Sequence, residues 1–230
     1  MGLLTPSYAL PLNAPGMVFQ TLKWMLREDS PVYIKPRLDP SLPGWLFGFA
    51  MGCSRRNMLS TGRIRAQILT DSDRLLKEVV RKEKIACEWQ SNGVIKVFRT
   101  EEGMRSYEQT NAILQEFGLG GTFLSGRDLS AKEPALRDDL AGGCIHSCDS
   151  KLNPAKLLIE WNRANLRQGV TVNENCGLEG FEISGDSIDA VVTSRGRWSA
   201  KDYVLTTGAW TSLFERQLGL RIPIQPAKGY

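Results

Sequence analysis

The sequence predicts an α/β (α+β) fold, and three patterns support this prediction. Apolar residues recur at three- and four-residue steps over 63–84, which is the spacing of an amphipathic helix beside a core. After residue 153 the pattern gives a helix, a short strand, a hairpin and a further strand. The apolar run at 203–205 stops abruptly at Thr206-Thr207-Gly208, as buried parallel strands do where they open onto a ligand.

Composition restricts the class of protein. The 230 residues are 42% hydrophobic and 23% charged, with a net charge of +4, which is the balance of a globular protein. The basic residues are spread along the chain, so we expect no nucleic-acid partner. No apolar run is long enough to span a bilayer, so membrane contact is expected to be peripheral at most.

Five cysteines at irregular spacing favour a reducing compartment over a disulfide framework. Cys144, Cys148 and the one histidine, His146, lie within five residues of each other. A structural zinc site needs about four ligands and no second cluster supplies the others, so we expect no metal. A single histidine without a partner motif also argues against Ser-His-Asp or Cys-His catalysis.

The first quarter of the chain is predicted to be extended and then helical. Residues 1–16, rich in proline and small residues, should be extended, and a short helix should follow over 17–27. A second helix, over 45–51, is apolar nearly all round. We favour a buried core helix because it lacks a clear polar face. The alternative is an interfacial membrane contact, since aromatic residues precede Arg55 and Arg56.

Turn and capping signals divide the middle of the chain. Ser91-Asn92-Gly93 predicts a hairpin turn between strands at 88–90 and 93–99. A helix over 101–117 should end at Gly118, so the glycines at 118–121 are interpreted as a C-cap and turn rather than as a nucleotide loop. Ser125 begins a capping box for a short helix through Lys132.

The second half has the element order of a nucleotide-binding fold. Asn153 should cap a helix over 154–168, followed by a strand at 170–172, a hairpin over 178–194 and a strand at 203–206. This order matches the later half of a Rossmann-like domain. The first half, a strand followed by Gly-x-Gly-x-x-Gly, is not found in the sequence. Gly208, having no Cβ, would let a ligand approach the backbone closely.

At this point the sequence resembles the FAD-dependent D-amino-acid dehydrogenases, within the wider glycine/D-amino-acid oxidase superfamily. The resemblance covers nearly the whole chain and is carried by seven stretches in order. They are Gly2-Leu3-Leu4-Thr5-Pro6-Ser7-Tyr8, Leu22-Lys23-Trp24-Met25-Leu26, Ser30-Pro31-Val32-Tyr33-Ile34-Lys35-Pro36-Arg37, Glu133-Pro134-Ala135-Leu136, Leu152-Asn153-Pro154, Thr207-Gly208-Ala209-Trp210 and Gln225-Pro226-Ala227-Lys228-Gly229-Tyr230.

The resemblance implies a partial FAD/NAD(P)-binding Rossmann-like domain with a substrate domain of helices and an antiparallel sheet. It assigns 1–16 to a flavin-side extended segment and 17–145 to the substrate or cap domain with its helices and a β-hairpin. It assigns 146–215 to the second half of the FAD-binding domain and 216–230 to a return strand into the substrate domain. It also implies an internal fragment that lacks the glycine-rich unit and a C-terminal segment, and that is inactive alone.

The resemblance places cofactor contacts at three points. Gly2, Leu3 and Leu4 match the segment passing the isoalloxazine, and Thr206, Thr207, Gly208 and Ala209 match the strand end beside the FAD diphosphate and ribityl chain. Leu178 matches a residue whose backbone meets the adenine, although the position also suits simple core packing. Lys228, Gly229 and Tyr230 match a strand entering the substrate chamber. No catalytic residue is indicated, and the arginine expected to bind the substrate carboxylate is not identified.

The implied activity is oxidative deamination of D-amino acids to 2-oxo acids and ammonia, by hydride transfer to the flavin. The implied partners are a small D-amino acid and an electron acceptor, a quinone or the respiratory chain. The implied location is the cytoplasm, with at most peripheral contact with the inner membrane. Two alternatives stay open: a glycine- or sarcosine-type amine oxidase, and a catalytically inactive remnant that acts as a structural or interaction module.

Overall fold

The computed structural model describes residues 2–25 and 41–224, and these residues divide into two units. The first unit contains residues 2–25 and 50–170, and the second contains residues 41–49 and 171–224. The domain boundaries predicted from the sequence stay predictions.

In the first unit, helices and short strands alternate over 55–146. Its elements are β1 (Gly2–Leu4), a 3-10 helix (Pro6–Tyr8), α1 (Met17–Met25), α3 (Arg55–Lys82), β2 (Val94–Phe98), α4 (Glu101–Glu116), β3 (Thr122–Ser125), α5 (Gly126–Lys132), β4 (Gly142–His146), β5 (Ser150–Leu152) and α6 (Pro154–Arg167). A further helix, α2 (Ser41–Met51), spans the boundary between the two units. None of the helices in the described residues is both long and apolar enough to cross a membrane.

Side-chain caps set where α3, α5 and α6 begin. The Ser125 hydroxyl accepts a hydrogen bond from the Asp128 backbone NH at 3.2 Å, and the Asn153 side chain accepts one from the Lys156 NH at 3.3 Å. Both predicted caps are therefore confirmed. Ser54 caps α3 in the same way, so this helix begins at Arg55 rather than at residue 63. An N-cap satisfies one of the backbone donors that the first turn leaves without a partner.

The sheet of the first unit is antiparallel, with β4 between β2 and β3. Gly142 and Gly143 allow this close pairing, because a Cβ at Gly142 would lie 2.3 Å from the Leu124 carbonyl oxygen. The predicted hairpin between 88–90 and 93–99 is wrong: Gln90 bridges Lys151 instead, and β2 pairs with β4. The predicted turn does bring a left-handed glycine, Gly93, to the start of β2.

Two apolar clusters form the core of the first unit. One joins Ala9, Ala66, Leu114 and Leu119, and so holds the segment after β1 against α3 and α4. The other joins Ile85, Cys87 and Leu152, with Leu4 and Trp161 packed against it. Both clusters therefore fix the N-terminal segment to distant parts of the chain.

The second unit contains a three-stranded antiparallel sheet. The predicted hairpin is confirmed as β6 (Leu178–Ser184) and β7 (Ser187–Thr193), with Gly185 left-handed in the turn. The unit also contains β8 (Gly196–Trp198), a 3-10 helix (Gly208–Phe214) and α7 (Glu215–Leu218). Ala190 is fully buried, and the rings of Phe181 and Phe214 meet edge to face with centroids 5.4 Å apart.

Three local predictions are wrong. Neither 170–172 nor 203–206 forms a strand, and Val204 is 85% exposed. A parallel strand requires a neighbour to complete its hydrogen bonds, and residues 171–224 provide none for these segments. The second apolar helix, α2, is not buried all round, because Phe47 and Met51 are more than two-thirds exposed.

Candidate functional site

The strand β1 contains the three residues predicted to pass the flavin ring. It pairs antiparallel with β5, so that Gly2 lies opposite Leu152 and Leu4 opposite Ser150. Gly2 is required here, since a Cβ would lie 2.7 Å from Cγ of Pro154. Among the described residues β1 has one neighbouring strand, which leaves the backbone groups of its other edge available to a ligand.

The segment after β1 is held by a buried carboxylate. Asp149 is 1% exposed and accepts two hydrogen bonds from Ser7, one from the backbone NH at 3.1 Å and one from the hydroxyl at 2.6 Å. Arg65 adds bonds to the carbonyl oxygens of Tyr8 and Ala9, at 3.1 and 2.8 Å. These bonds fix the position of β1 from the residues that directly follow it.

At the predicted strand end, Thr206 and Thr207 are irregular chain, and Gly208 and Ala209 begin a 3-10 helix; this segment is called the turn at 206–209. Thr207 precedes the helix, and its hydroxyl lies 3.0 Å from the hydroxyl of Thr211. Gly208 is left-handed at φ +56°, and nothing lies within 4 Å of the point where its Cβ would be. Thr206, Gly208 and Ala209 are exposed. The turn therefore offers hydroxyl and backbone donors beside open space, which fits an approaching diphosphate.

The other predicted contacts, at Leu178 and at 228–230, add little to the description of the site. Leu178 begins β6, is half-buried and pairs with Thr193. Lys228, Gly229 and Tyr230 lie outside the described residues. The residues of β1 belong to the first unit, and those at 178 and 206–209 to the second, so each group is described within its own unit.

Sequence reasoning missed a cluster around Lys96. Its ammonium lies 4.1 Å from the ring centroid of Tyr107 and 5.0 Å from that of Tyr8. The Tyr107 hydroxyl is 2.9 Å from Nε2 of His146, and Nδ1 of this buried histidine is 3.1 Å from the Leu119 carbonyl oxygen. A carbonyl can only accept, so Nδ1 carries a proton and, in the neutral ring, Nε2 accepts from Tyr107. The sequence did contain a signal, because Lys96 interrupts the face of β2 formed by Val94 and Phe98.

Burial governs the electrostatics of this cluster. Desolvation lowers the pKa of Lys96, and the nearby Cys144 and Asp149 oppose this shift. Desolvation also raises the pKa of Tyr107 to about 12. The pKa of Cys148 rises to about 11, through burial and then through the neighbouring Asp149. Both tyrosine and thiol therefore keep their protons at neutral pH.

The thiols of Cys144 and Cys148 lie near polar side chains of the same unit. Cys144 lies 3.7 Å from Nε2 of His146 and 3.9 Å from the Asn111 side-chain oxygen, while Cys148 lies 3.5 Å from Asp149. Across residues 2–25 and 41–224, no three His, Cys, Asp or Glu side chains are grouped so that they could hold a metal ion.

Comparison with solved structures establishes the fold. The chain is similar to glycine oxidase from Geobacillus kaustophilus, with a TM-score of 0.61 and 19% identity over 68% of this chain and 43% of that one. It is also similar to L-proline dehydrogenase from P. horikoshii, with a TM-score of 0.59 and 18% identity over 68% and 42% of the two chains. The predicted α/β (α+β) fold class, with its partial Rossmann-like domain, is confirmed by this likeness.

The chain belongs to the DAO family, described as FAD dependent oxidoreductase, whose pattern matches residues 3–230. FAD is the cofactor of this family. The chain is 28% identical over 232 residues to D-amino acid dehydrogenase from Phenylobacterium zucineum, covering 100% of this chain and 54% of that protein. The chain is also 29% identical over 233 residues to D-amino acid dehydrogenase from Granulibacter bethesdensis, covering 100% of this chain and 56% of that protein. The chain thus spans about half the length of the curated relatives it matches.

Proposed function

We propose that this chain is part of an FAD-dependent D-amino-acid dehydrogenase, which converts D-amino acids to 2-oxo acids and ammonia. One observation carries the proposal. The curated relatives named D-amino acid dehydrogenase match 97–100% of this chain at 27–29% identity. The intact protein would pass its electrons to a quinone or to another acceptor of the respiratory chain.

In this proposal the chain supplies two parts of the cofactor site. The open edge of β1 lies along the isoalloxazine, and the turn at 206–209 meets the diphosphate and ribityl chain. The left-handed Gly208, with open space in place of a side chain, supports the second assignment. Leu178 is assigned to the adenine side, and Lys228, Gly229 and Tyr230 to the substrate side.

The bound flavin would supply the acceptor for the hydride that leaves the α-carbon. The chain's own residues would position the reactants. Ser7 and Asp149 hold the segment after β1 in place through two hydrogen bonds, so this edge presents a fixed backbone to its ligand. Fixed positioning lowers the entropy that must be lost when the reacting atoms are brought together.

The experiment is to express the complete protein that contains this chain, load it with FAD, and measure dye reduction with D- and L-amino acids. We expect reduction by D-amino acids without hydrogen peroxide. Peroxide formed from glycine or sarcosine would identify an amine oxidase instead. Retained flavin without reduction by any amino acid would identify a catalytically inactive protein.

A further inference from the structure

We propose that Lys96, with Tyr8 and Tyr107, forms a binding site for an organic carboxylate. In the reaction proposed above, this ligand would be the carboxylate of the amino acid that is oxidised. The assignment of the ligand as substrate rests on the proposed function, whereas the anion site itself rests on the structure alone.

The first argument is that, in the described part of the chain, Lys96 has no carboxylate in direct contact, although the nearby Asp149 partly offsets the desolvation that lowers the Lys96 pKa. Within the described residues Lys77 pairs with Asp73 at 2.6 Å and Lys156 pairs with Glu88, but the half-buried Lys96 has no carboxylate within 4 Å. The nearby acid, Asp149, already accepts both hydrogen bonds from Ser7. A cation that is partly removed from water without an ionic partner favours an anionic ligand.

The second argument is that the ammonium is held in place. It lies near the centroids of two tyrosine rings, at 4.1 and 5.0 Å, where the ring electrons attract a cation without neutralising it. Its strand is paired along its length with β4, and Lys96 lies opposite Cys144. Tyr107 is in turn fixed by its bond to His146. A charge fixed in this way loses little entropy when it binds a ligand.

The third argument concerns access and the size of the ligand. Tyr8 is 56% exposed, so this side of the cluster opens to the surface. Its hydroxyl makes no hydrogen bond within the described residues, and it can donate to a ligand beside the Lys96 ammonium. Two donors and one positive charge match the two oxygens of a carboxylate, whereas phosphate groups are usually bound by more donors. Tyr8 also belongs to the segment that follows β1, the strand proposed to lie along the flavin, four positions after Leu4.

The test uses the FAD-loaded complete protein and three variants. Lys96→Met removes the charge but keeps a side chain that packs well against aromatic rings. Lys96→Arg keeps the charge, and Lys132→Met is the matched control, since Lys132 is exposed on α5. Melting temperatures are measured with sodium propionate and with phosphate at equal ionic strength, and KM and kcat are measured with D-alanine.

We expect propionate, but not phosphate, to raise the melting temperature of the wild type and of Lys132→Met, and to leave that of Lys96→Met unchanged. Loss of a charged hydrogen bond should raise KM of Lys96→Met by roughly 10- to 100-fold, with kcat within about threefold. Lys96→Arg should keep KM within about fivefold of the wild type, because it retains a cation.

Equal protection of wild type and Lys96→Met by propionate, or an unchanged KM, would overturn the site. Equal protection of the wild type by phosphate would overturn its preference for carboxylates. Should no D-amino acid reduce the dye while protection still depends on Lys96, the anion site stands and the proposed function fails. If Lys96→Met does not fold, the exposed Tyr8→Phe replaces it. This variant should lose part of the protection, and full protection would count against the site.

Discussion

The hydrogen bond between the Ser7 hydroxyl and Asp149 provides a direct test of how the N-terminal segment is held. Ser7 is 5% exposed and Asp149 1%, and their oxygens are 2.6 Å apart. Ser7→Ala removes this bond and leaves one carboxylate oxygen without that donor, while the backbone bond at 3.1 Å remains. A hydrogen bond to a charged group contributes about 1.5–3 kcal/mol, so the free energy of unfolding should fall by about that amount.

Urea denaturation measures this loss. With a slope of about 2–3 kcal/mol per molar urea, the midpoint should move down by roughly 0.5–1.5 M. Ser60→Ala is the matched control, because the exposed Ser60 hydroxyl donates only to the Asn57 carbonyl within its own helix, at 3.2 Å. Its midpoint should change by less than about 0.3 M, since surface substitutions usually cost under about 0.5 kcal/mol. Equal midpoints for wild type and Ser7→Ala would refute the assignment of this bond as a stabilising contact.

Three further predictions follow from other parts of the molecule. Gly208→Ala should weaken FAD retention by the complete protein. Gly219→Ala is the control and should not, although both glycines are left-handed (φ +56° and +62°) with open space at the Cβ position. Equal FAD retention by the two variants would remove the turn from the cofactor site. Burial raises the pKa of Tyr107 to about 12. The free energy of unfolding should therefore fall as pH rises from about 10 to about 12, because an unfolded tyrosine loses its proton in this range and the folded one keeps it. The urea midpoint of Tyr107→Phe should fall less over this range than that of the wild type. The 230-residue chain alone should retain little FAD, because its sequence has no Gly-x-Gly-x-x-Gly loop; a purified chain with flavin absorbance would contradict this.

The local parts of the fold could be predicted from the sequence. The caps at Ser125 and Asn153 and the hairpin around Gly185 depend on residues a few positions apart, and all three are present. The partner of Gln90 could not be predicted, because it is Lys151, more than sixty residues later. The segment 203–206 shows the same limit in another way: its apolar residues suit a strand, but a strand forms only where a neighbour completes its hydrogen bonds.

The predicted cofactor contacts stay predictions, and the contacts between distant side chains could not be predicted from the sequence. The open space at Gly208 follows from its missing side chain, which is visible in the sequence, and its contact with a ligand stays a prediction. The bond between Ser7 and Asp149 joins residues 142 positions apart, and no local pattern relates them. Lys96 was visible as a charge on an otherwise apolar face, but its two tyrosines come from other parts of the chain.

The pairing of β1 with β5 has a consequence for how the protein is made. Residues 2–4 find their partners only when 150–152 have left the ribosome. Ser7 and Asp149, which also join these parts of the chain, are 142 positions apart, and at roughly 5–20 residues per second this length takes about 7–28 s to synthesise. Until then the backbone groups of β1 have no strand partner within the described residues. During this time the segment is open to chaperone binding and to mispairing between nascent chains.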